Sequence, residues 1–446
     1  MYDKLFSKYF YPFYESKLRK RNTFSYYAEY MSNQYLSLDE LEYVQGEKLK
    51  KLLQHCYENV AYYKNLWDGL GFTPQDYKGP GDLKLLPVLT KDIIKNNYNE
   101  LIAENYRDKT IAKATGGSTG VPLRFAITRE SYEKRVAVTW RGYEWSGAGL
   151  GKKTAYIWGQ DFKYTFINKL KYGLYNQAFN RKYFNVFEYN HNFERLAVEL
   201  KAYNPKVIVS FVTPLYEFAV YLLANNIQLD LALDAIVTGA EALQSHQRDL
   251  IEKAFSKSVT NTYGCREFML LAAECDRHEG MHINIDHVVL ELENRNSLQG
   301  DIGEVVITDL SNYGMPFIRY KNGDLASYSD QDCSCGRRLP MLASVHGRVL
   351  DAIKRPDGSL LPGEFFPHLL KDLGGLLQFQ IVQNDINSLD INLVTDGLFE
   401  KSALVEIEAA IRNAMHEDLL ISFNFLETIP TTDMGKTRVT ISHVEL

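Results

Sequence analysis

The chain has 446 residues, 45% of them hydrophobic and 24% charged, with a net charge of −6. That length calls for a large domain and at least one smaller one, and the charge balance argues against nucleic-acid binding, which needs a clear basic excess. The first residues contain no uninterrupted apolar stretch able to act as a signal core or to cross a bilayer, so a cytoplasmic protein without a transmembrane segment is expected.

Residues 1–22 carry Lys4, Lys8, Lys17, Arg19, Lys20 and Arg21 among several aromatics, against only Asp3 and Glu15. Such a segment could lie on an anionic membrane surface; the simpler reading, which is preferred, is an N-terminal helix packed on the body. From about residue 38 to 70 the apolar spacing is helical, with polar residues filling the other face. The loop Lys78-Gly-Pro-Gly-Asp82 precedes a turn and a short helix.

The stretch Ala114-Thr-Gly-Gly-Ser-Thr-Gly-Val-Pro122 has three glycines in nine residues and leads to a helix from Ser131. Glycines let backbone amides approach a phosphate, and the Ser118 and Thr119 hydroxyls add donors. The Gly-Lys-Ser/Thr of a Walker loop is missing, which argues against a P-loop kinase or ATPase. By composition alone a flexible surface turn would account for it equally well.

Short β-branched or aromatic runs at 154–158 and 206–211 read as strands. The run 234–238 leads through Gly239, Ala240 and Glu241 into an amphipathic stretch at 243–255 and a further strand at 258–263. That alternation predicts a mainly parallel sheet with ligand loops at its carboxyl edge. The run 304–308 adds another strand. Beyond His346-Gly-Arg the pattern becomes helix (364–373), two strands (376–383, 388–394), helix (399–415) and strand (420–426), a compact α+β unit large enough for its own core.

Seven motifs stand in order: Thr-Gly-Gly-Ser-Thr-Gly-Val-Pro (115–122), Thr-Gly-Ala-Glu (238–241), Tyr-Gly-Cys-Arg-Glu (263–267), Gly-Asp-Ile-Gly-Glu-Val-Val-Ile-Thr (300–308), Pro-Phe-Ile-Arg-Tyr-Lys-Asn-Gly-Asp (316–324), Gly-Arg (347–348) and Gly-Lys (435–436). Together they resemble the core motifs of the adenylate-forming ligase superfamily, in the branch of phenylacetate-CoA ligases and capsular polysaccharide synthesis proteins, from about residue 40 to the C-terminus. The resemblance implies an α/β fold: a large N-terminal body with mixed sheets and parallel strands over 1–346, helical over about 1–75, and a mobile α+β lid over 347–446.

The resemblance also implies roles. Thr115, Gly116, Gly117, Ser118, Thr119 and Gly120 would hold the β- and γ-phosphates of ATP, and Gly239, Ala240 and Glu241 would border the adenine. Tyr263, followed by Gly264, would stack on the base, and Glu267 would bind Mg2+. Asp324 and Arg348 would fix the ribose hydroxyls. Lys436 would reach from the lid to the carboxylate and α-phosphate, where two anions meet and the barrier is electrostatic; such a charge is worth about 3–4 kcal/mol in the transition state. Taken alone, Asp324 after Asn322-Gly323 reads more readily as a turn residue and Lys436 after Met434-Gly435 as a solvated loop lysine; the ordered set reverses that reading.

Three positions depart from the family pattern. Leu123, beside Arg124, stands where a lysine commonly follows the phosphate-loop proline. Arg266 replaces Ser or Thr before Glu267, and Leu350 replaces the hinge acid, with Asp351 next to it.

Five cysteines in a chain without an export signal favour metal or thiol chemistry over disulfides. Cys56 reads as a helix-core residue and Cys265 falls within the nucleotide motif. Cys275, Cys333, Cys335 and one histidine suit a closed structural zinc site. His282 fits the family's spacing, with His278 as the alternative; reduced free thiols are the competing reading.

The expected reaction joins a small-molecule carboxylate to ATP, giving acyl-AMP and pyrophosphate, followed by transfer to an acceptor, first among them coenzyme A. An amine or hydroxyl acceptor is the second reading, and within the resembling group one branch transfers AMP onto a deazaflavin coenzyme. A non-catalytic scaffold would have lost Glu267, Asp324 or Lys436, and all three are present. Trp140, Tyr143 and Phe211 are candidates for an apolar acyl pocket, or simply for the core.

Overall fold

The computed structural model describes residues 5–115, 123–158, 173–185, 189, 192–296, 302–348, 353–356, 360–361, 365–370, 373–416, 418–429 and 439–444. Residues 6–18 form a helical segment of π and α turns, followed by α1 (Thr23–Asn33), α2 (Leu38–Asn59), α3 (Ala61–Leu70) and α4 (Lys91–Asn96). Ser37 and Glu40 close a capping box at the start of α2, satisfying amides that the first turn leaves unpaired. Leu41, Gln45, Leu49, Leu52, Leu53 and Cys56 bury one stripe of that helix. Gly71, at φ 66°, ends α3 in the left-handed conformation that only glycine adopts freely.

A two-stranded antiparallel ribbon follows, β1 (Thr110–Ala114) and β2 (Arg124–Thr128), with Ala114 opposite Arg124. The glycine-rich motif is the connection between these strands. Next come α5 (Arg129–Trp145), β3 (Thr154–Trp158), β4 (Arg181–Asn185), α6 (Phe193–Tyr203), β5 (Val207–Phe211), α7 (Val212–Ala224), β6 (Ala235–Gly239), α8 (Ser245–Phe255) and β7 (Val259–Cys265). Strands β8 (Met269–Glu274), β9 (Met281–Ile283), β10 (Val288–Asn296), β11 (Ile302–Asp309), β12 (Tyr320–Tyr328) and β13 (Met341–Arg348) complete the body.

All of these strands from β3 to β13 join one sheet of 11, in the order β10-β11-β12-β13-β9-β8-β7-β6-β5-β3-β4. From β4 to β7 the pairing is parallel, and from β7 to β10 it is antiparallel. The expected mainly parallel sheet is therefore only one arm. Connections such as Arg266 to Phe268 are far too short for a crossover helix, which forces antiparallel neighbours. Strand β7 belongs to both arms: Ile236 to Thr238 of β6 pair with its first residues in parallel, and its last four pair with β8 antiparallel.

The two arms have separate cores. Leu49, Leu52 and Trp67 from α2 and α3 pack with Val288, Val305 and Ile307 under the antiparallel arm, while Ile157, Ile208, Ile236, Phe218 and Ile251 fill one side of the parallel arm.

The C-terminal unit comprises β14 (Ile353–Lys354), β15 (Leu360–Leu361), α9 (Phe365–Leu370), β16 (Leu376–Asp385), β17 (Ser388–Thr395), α10 (Leu404–Ala414), β18 (Leu420–Phe425) and β19 (Thr440–Ser442). Its sheet runs β18-β17-β16-β19. Phe366, Ile381, Ile391, Leu393, Ile407 and Ile411 form its core.

Candidate active site and metal centre

The carboxyl ends of β6 and β7 meet where the two arms join, and the motif residues concentrate there. Gly239 ends β6; a Cβ at this position would stand 2.6 Å from Thr262 Oγ1, so the two strands approach as only glycine permits. Ala240 follows with φ 68°, an uncommon conformation for a residue with a side chain. Glu241 Oε2 accepts from the Thr213 amide at 2.7 Å in the first turn of α7, where a carboxylate complements the helix dipole. The side chain of Glu241 thus ties the turn to the neighbouring helix, and the backbone of Gly239 and Ala240 is what the turn presents.

Across from this turn, Tyr263 in β7 is 7% exposed. Its hydroxyl donates to Asp324 Oδ2 at 2.8 Å and accepts from Asn322 Nδ2 at 2.9 Å. Asn322 Nδ2 also donates to Asp324 Oδ2, and Asn322 Oδ1 accepts from the Asp324 amide at 3.0 Å. Gly323, at φ 87°, makes the bend that brings these two side chains together. Burial raises the Tyr263 phenol well above its ordinary range, and the neighbouring Asp324 carboxylate raises it further, so the phenol remains a donor. A Cβ on Gly264 would lie 1.9 Å from the Met269 carbonyl oxygen, which excludes any other residue in this close β7–β8 turn.

Glu267 is buried, and its Oε1 accepts from the Tyr320 hydroxyl at 3.1 Å. Burial and then the Glu267 charge push the Tyr320 phenol up, fixing it too as a donor. Arg266 is exposed on the same turn. Asp324 stands directly opposite Arg348 in the β12–β13 register, so the two residues expected at the ribose are cross-strand neighbours.

Asn322 and Tyr320 are site residues that reading the motifs one at a time overlooks. The signal was present: Tyr320 and Asn322 alternate along β12 with a period of two, ahead of Asp324.

Thr115 closes the neck of the glycine-rich connection. Its amide donates to the Leu123 carbonyl, and its Oγ1 accepts from the Leu123 amide, both at 2.9 Å. Gly116, Gly117, Ser118, Thr119 and Gly120, the hinge positions Leu350 and Asp351, and Lys436 with its neighbouring glycine lie outside the described residues.

The three aromatics considered for an acyl pocket part company. Trp140 packs on Tyr11, Phe24 and Tyr27. Tyr143 and Phe211 remain on the side of the parallel arm formed by Val207, Val209 and Val237, where Phe211 lies 3.9 Å from the Trp158 ring centroid.

A second cluster forms where β9 meets the loop before β13. Ligand atoms of Cys275, His282, Cys333 and Cys335 all lie within 4.8 Å of one another. Cys275 Sγ is 3.5 Å from Cys333 Sγ, and Cys335 Sγ is 3.4 Å from His282 Nε2. Four ligands around a tetrahedral zinc have edges of about 3.5–3.8 Å, so the donor set fits that ion. The amides of Arg277 and Arg337 donate to Cys275 and Cys335 Sγ, each at 3.4 Å, and the Leu339 carbonyl lies 3.3 Å from His282 Nδ1, aiming Nε2 at the centre. Burial lowers the His282 pKa to about 4, keeping it in the neutral form that ligates metals. His278 is drawn elsewhere, to Glu274 Oε2 at 3.2 Å.

Compared with known proteins, residues 353–443 match the CapK C-terminal domain family. The chain is 24% identical over 437 residues to protein CapK of Staphylococcus aureus, covering 96% of this chain and 94% of that protein. It is 27% identical over 371 residues to a phenylacetate-coenzyme A ligase of Thermus thermophilus, covering 80% and 81%. Among solved structures, 2-hydroxyisobutyryl-CoA ligase in its post-adenylation state superposes with a TM-score of 0.72 at 17% identity, covering 92% of this chain and 91% of that one.

The body with its mixed sheet and the separate C-terminal sheet have the fold of an adenylate-forming ligase. Over most of its length the chain is similar to the phenylacetate-CoA ligases and CapK, enzymes of that fold among them.

Proposed function

We propose that the protein activates a small-molecule carboxylate with ATP and Mg2+ and passes the acyl group to coenzyme A. In the first step a carboxylate oxygen bonds to the α-phosphorus and the bond to pyrophosphate breaks. In the second, the thiolate sulfur bonds to the acyl carbon and AMP leaves. The observation that carries this reading is the linked group of Tyr263, Asn322 and Asp324 beside Glu267, at the carboxyl edge where open α/β sheets bind ligands.

In this reading Asp324 and Arg348 take the ribose hydroxyls, Tyr263 lies against the base with the Gly239–Ala240–Glu241 turn along its edge, and Glu267 holds Mg2+. Thr115 through Gly120 cradle the β- and γ-phosphates. Lys436 supplies the cation for the approaching carboxylate and α-phosphate, because that barrier is mostly repulsion between anions. Residues 347–446 act as a lid that swings about the 347–351 region between the two steps, a standard way of building two sites from one set of parts. Cys275, His282, Cys333 and Cys335 hold a structural zinc whose closed shell leaves no position for substrate.

In a second reading the adenylate is made in the same way but an amine or hydroxyl receives the acyl group. Pyrophosphate release and product mass separate the two. The purified protein is given ATP, Mg2+ and a panel of aryl, alkyl and amino carboxylates, with and without coenzyme A. Carboxylate-dependent release with a thioester product supports the first reading, and release with no thioester supports the second. ATP binding without release on any carboxylate would overturn both.

A further inference from the structure

We propose that residues 5–21 form a preformed docking surface for an anionic lipid bilayer. Phe6, Tyr11 and Glu15 bury the inner face of this helical segment. Phe6 and Tyr11 pack edge-on against Phe179 at 5.2 and 4.6 Å, and Tyr11 also meets Trp140. Glu15, 1% exposed, accepts from Thr23 Oγ1 at 3.0 Å and pairs with Arg21 at 3.4 Å. Arg129 donates to the carbonyls of Arg19 and Lys20 and pins the end of the segment. The segment has therefore already found its intramolecular partner, as the simpler reading of the sequence expected.

Its other face is apolar and open. Leu5, Tyr9, Phe10, Phe13 and Leu18 are 54, 60, 59, 57 and 65% exposed. Leu5, Tyr9, Phe13 and Leu18 follow the four- and five-residue spacing of a row along the helix, opposite the buried row of Phe6, Tyr11 and Glu15. Lys8, Lys17, Arg19 and Lys20 are exposed beside that row. The one acid in the described part of the segment is the buried Glu15, so the outward face carries positive charge alone, in a chain whose net charge is −6.

Aromatic rings at the level of the headgroups, flanked by Lys and Arg, are what binds a helix in the plane of an anionic bilayer. A convex row of this kind offers no groove to a peptide. Pairing with a second copy through the same face would set the lysines against themselves, because a two-fold interface is self-complementary. The surface would hold the ligase at a bilayer without any spanning segment, and among the described residues no helix is long and apolar enough to cross one.

The test is co-sedimentation of the full chain with vesicles of phosphatidylglycerol and phosphatidylcholine in equal parts, against vesicles of phosphatidylcholine alone. Two variants are compared with the parent: Tyr9→Ser/Phe10→Ser/Phe13→Ser, and Lys8→Gln/Lys17→Gln/Lys20→Gln. Each basic residue near an anionic surface is worth about fivefold in partitioning, so the lysine variant should bind the mixed vesicles about a hundredfold more weakly, and the aromatic variant, which loses the rings buried in the bilayer, about tenfold more weakly or worse, both with an unchanged unfolding midpoint. Binding by the parent should weaken as salt is raised. Equal binding to both vesicle types, binding to neither, or parent-like binding by the aromatic variant would overturn the proposal. So would a concentration-dependent dimer that both variants abolish, since the face would then belong to a second copy.

Discussion

The hydroxyl of Tyr263 in β7 donates to Oδ2 of Asp324 in β12 at 2.8 Å, joining two motifs that lie 61 residues apart in the chain. An aromatic ring expected at the base and a carboxylate expected at the ribose are thereby one mechanical unit, with Asn322 bonded to both. Tyr263→Phe keeps the ring and removes the bond. A hydrogen bond to a charged group is worth about 1.5–3 kcal/mol, so KM for ATP should rise about tenfold with kcat little changed. Because the residues act together, combining Tyr263→Phe with Asn322→Ala should cost clearly less than the sum of the single changes. Steady-state kinetics on the three variants check this; strict additivity would mean that the contact does not orient the nucleotide.

Glu267 and Tyr320 make a second test. Glu267→Gln keeps the shape and the Tyr320 contact but removes the charge proposed for Mg2+, so kcat should fall about a hundredfold or more, roughly 3 kcal/mol. Tyr320→Phe should lower kcat by no more than about tenfold, since it removes only the bond that orients the carboxylate. Raising Mg2+ should partly rescue Tyr320→Phe and leave Glu267→Gln unchanged.

Metal analysis of the purified protein should find one zinc per chain. His282→Ala and Cys333→Ser should lose it and lower the unfolding midpoint by about 5 °C or more, because metal-binding energy is folding energy here. His278→Ala should keep the zinc, as its ring is held by Glu274 outside the cluster. Retention of zinc in His282→Ala would mean that the ligand set is wrong.

His287 predicts an acid-labile core. Its Nδ1 meets the Tyr30 hydroxyl at 2.8 Å, and its Nε2 is buried with no hydrogen-bond partner among the described residues. Asp309 and Asp286 favour its charged form and Arg135 and Lys48 oppose it, yet burial dominates and lowers its pKa from 6.5 to about 3. The neutral ring is favoured only in the folded state, so its stabilisation is complete above pH 6.5 and is lost as pH falls toward 3. The loss is about 1.4 kcal/mol per pH unit. Urea midpoints measured between pH 7 and pH 4.5 should drop steeply in the parent and less steeply in His287→Gln; parallel slopes would contradict the assignment.

Much of the architecture could be read directly from the chain because its signals are local. The apolar runs that became β5 and β6 are buried on both faces, which gives parallel strands their continuous hydrophobic character, while β3, nearer the sheet edge, buries only Ala155 and Ile157. The C-terminal unit announced itself through clean alternation of strand and helix patterns. The antiparallel arm was harder: β9 has only three residues, and on one side it pairs with the sequence-distant β13, His282 and Met281 opposite Met341 and Leu342.

The site was legible where motif chemistry is local and obscure where packing decides. Nothing near Trp140 in the sequence says that the N-terminal segment will cover it, and nothing at Tyr320 says that it will reach Glu267 across 53 residues of chain. The gathering of Cys275, His282, Cys333 and Cys335 was legible because thiol and imidazole are chemically distinctive. The choice between His278 and His282 rests on three-dimensional geometry, in which four residues of sequence separate a member of the thiol cluster from a partner of Glu274.

The central claim is that this chain forms an acyl-adenylate. Its most direct test is exchange of labelled pyrophosphate into ATP, run without coenzyme A or any other acceptor and with each carboxylate supplied singly. The account predicts exchange that requires one carboxylate class and Mg2+ and that collapses in both Asp324→Asn and Lys436→Ala. ATP that binds but exchanges with no carboxylate, or exchange that persists in both variants, would contradict it.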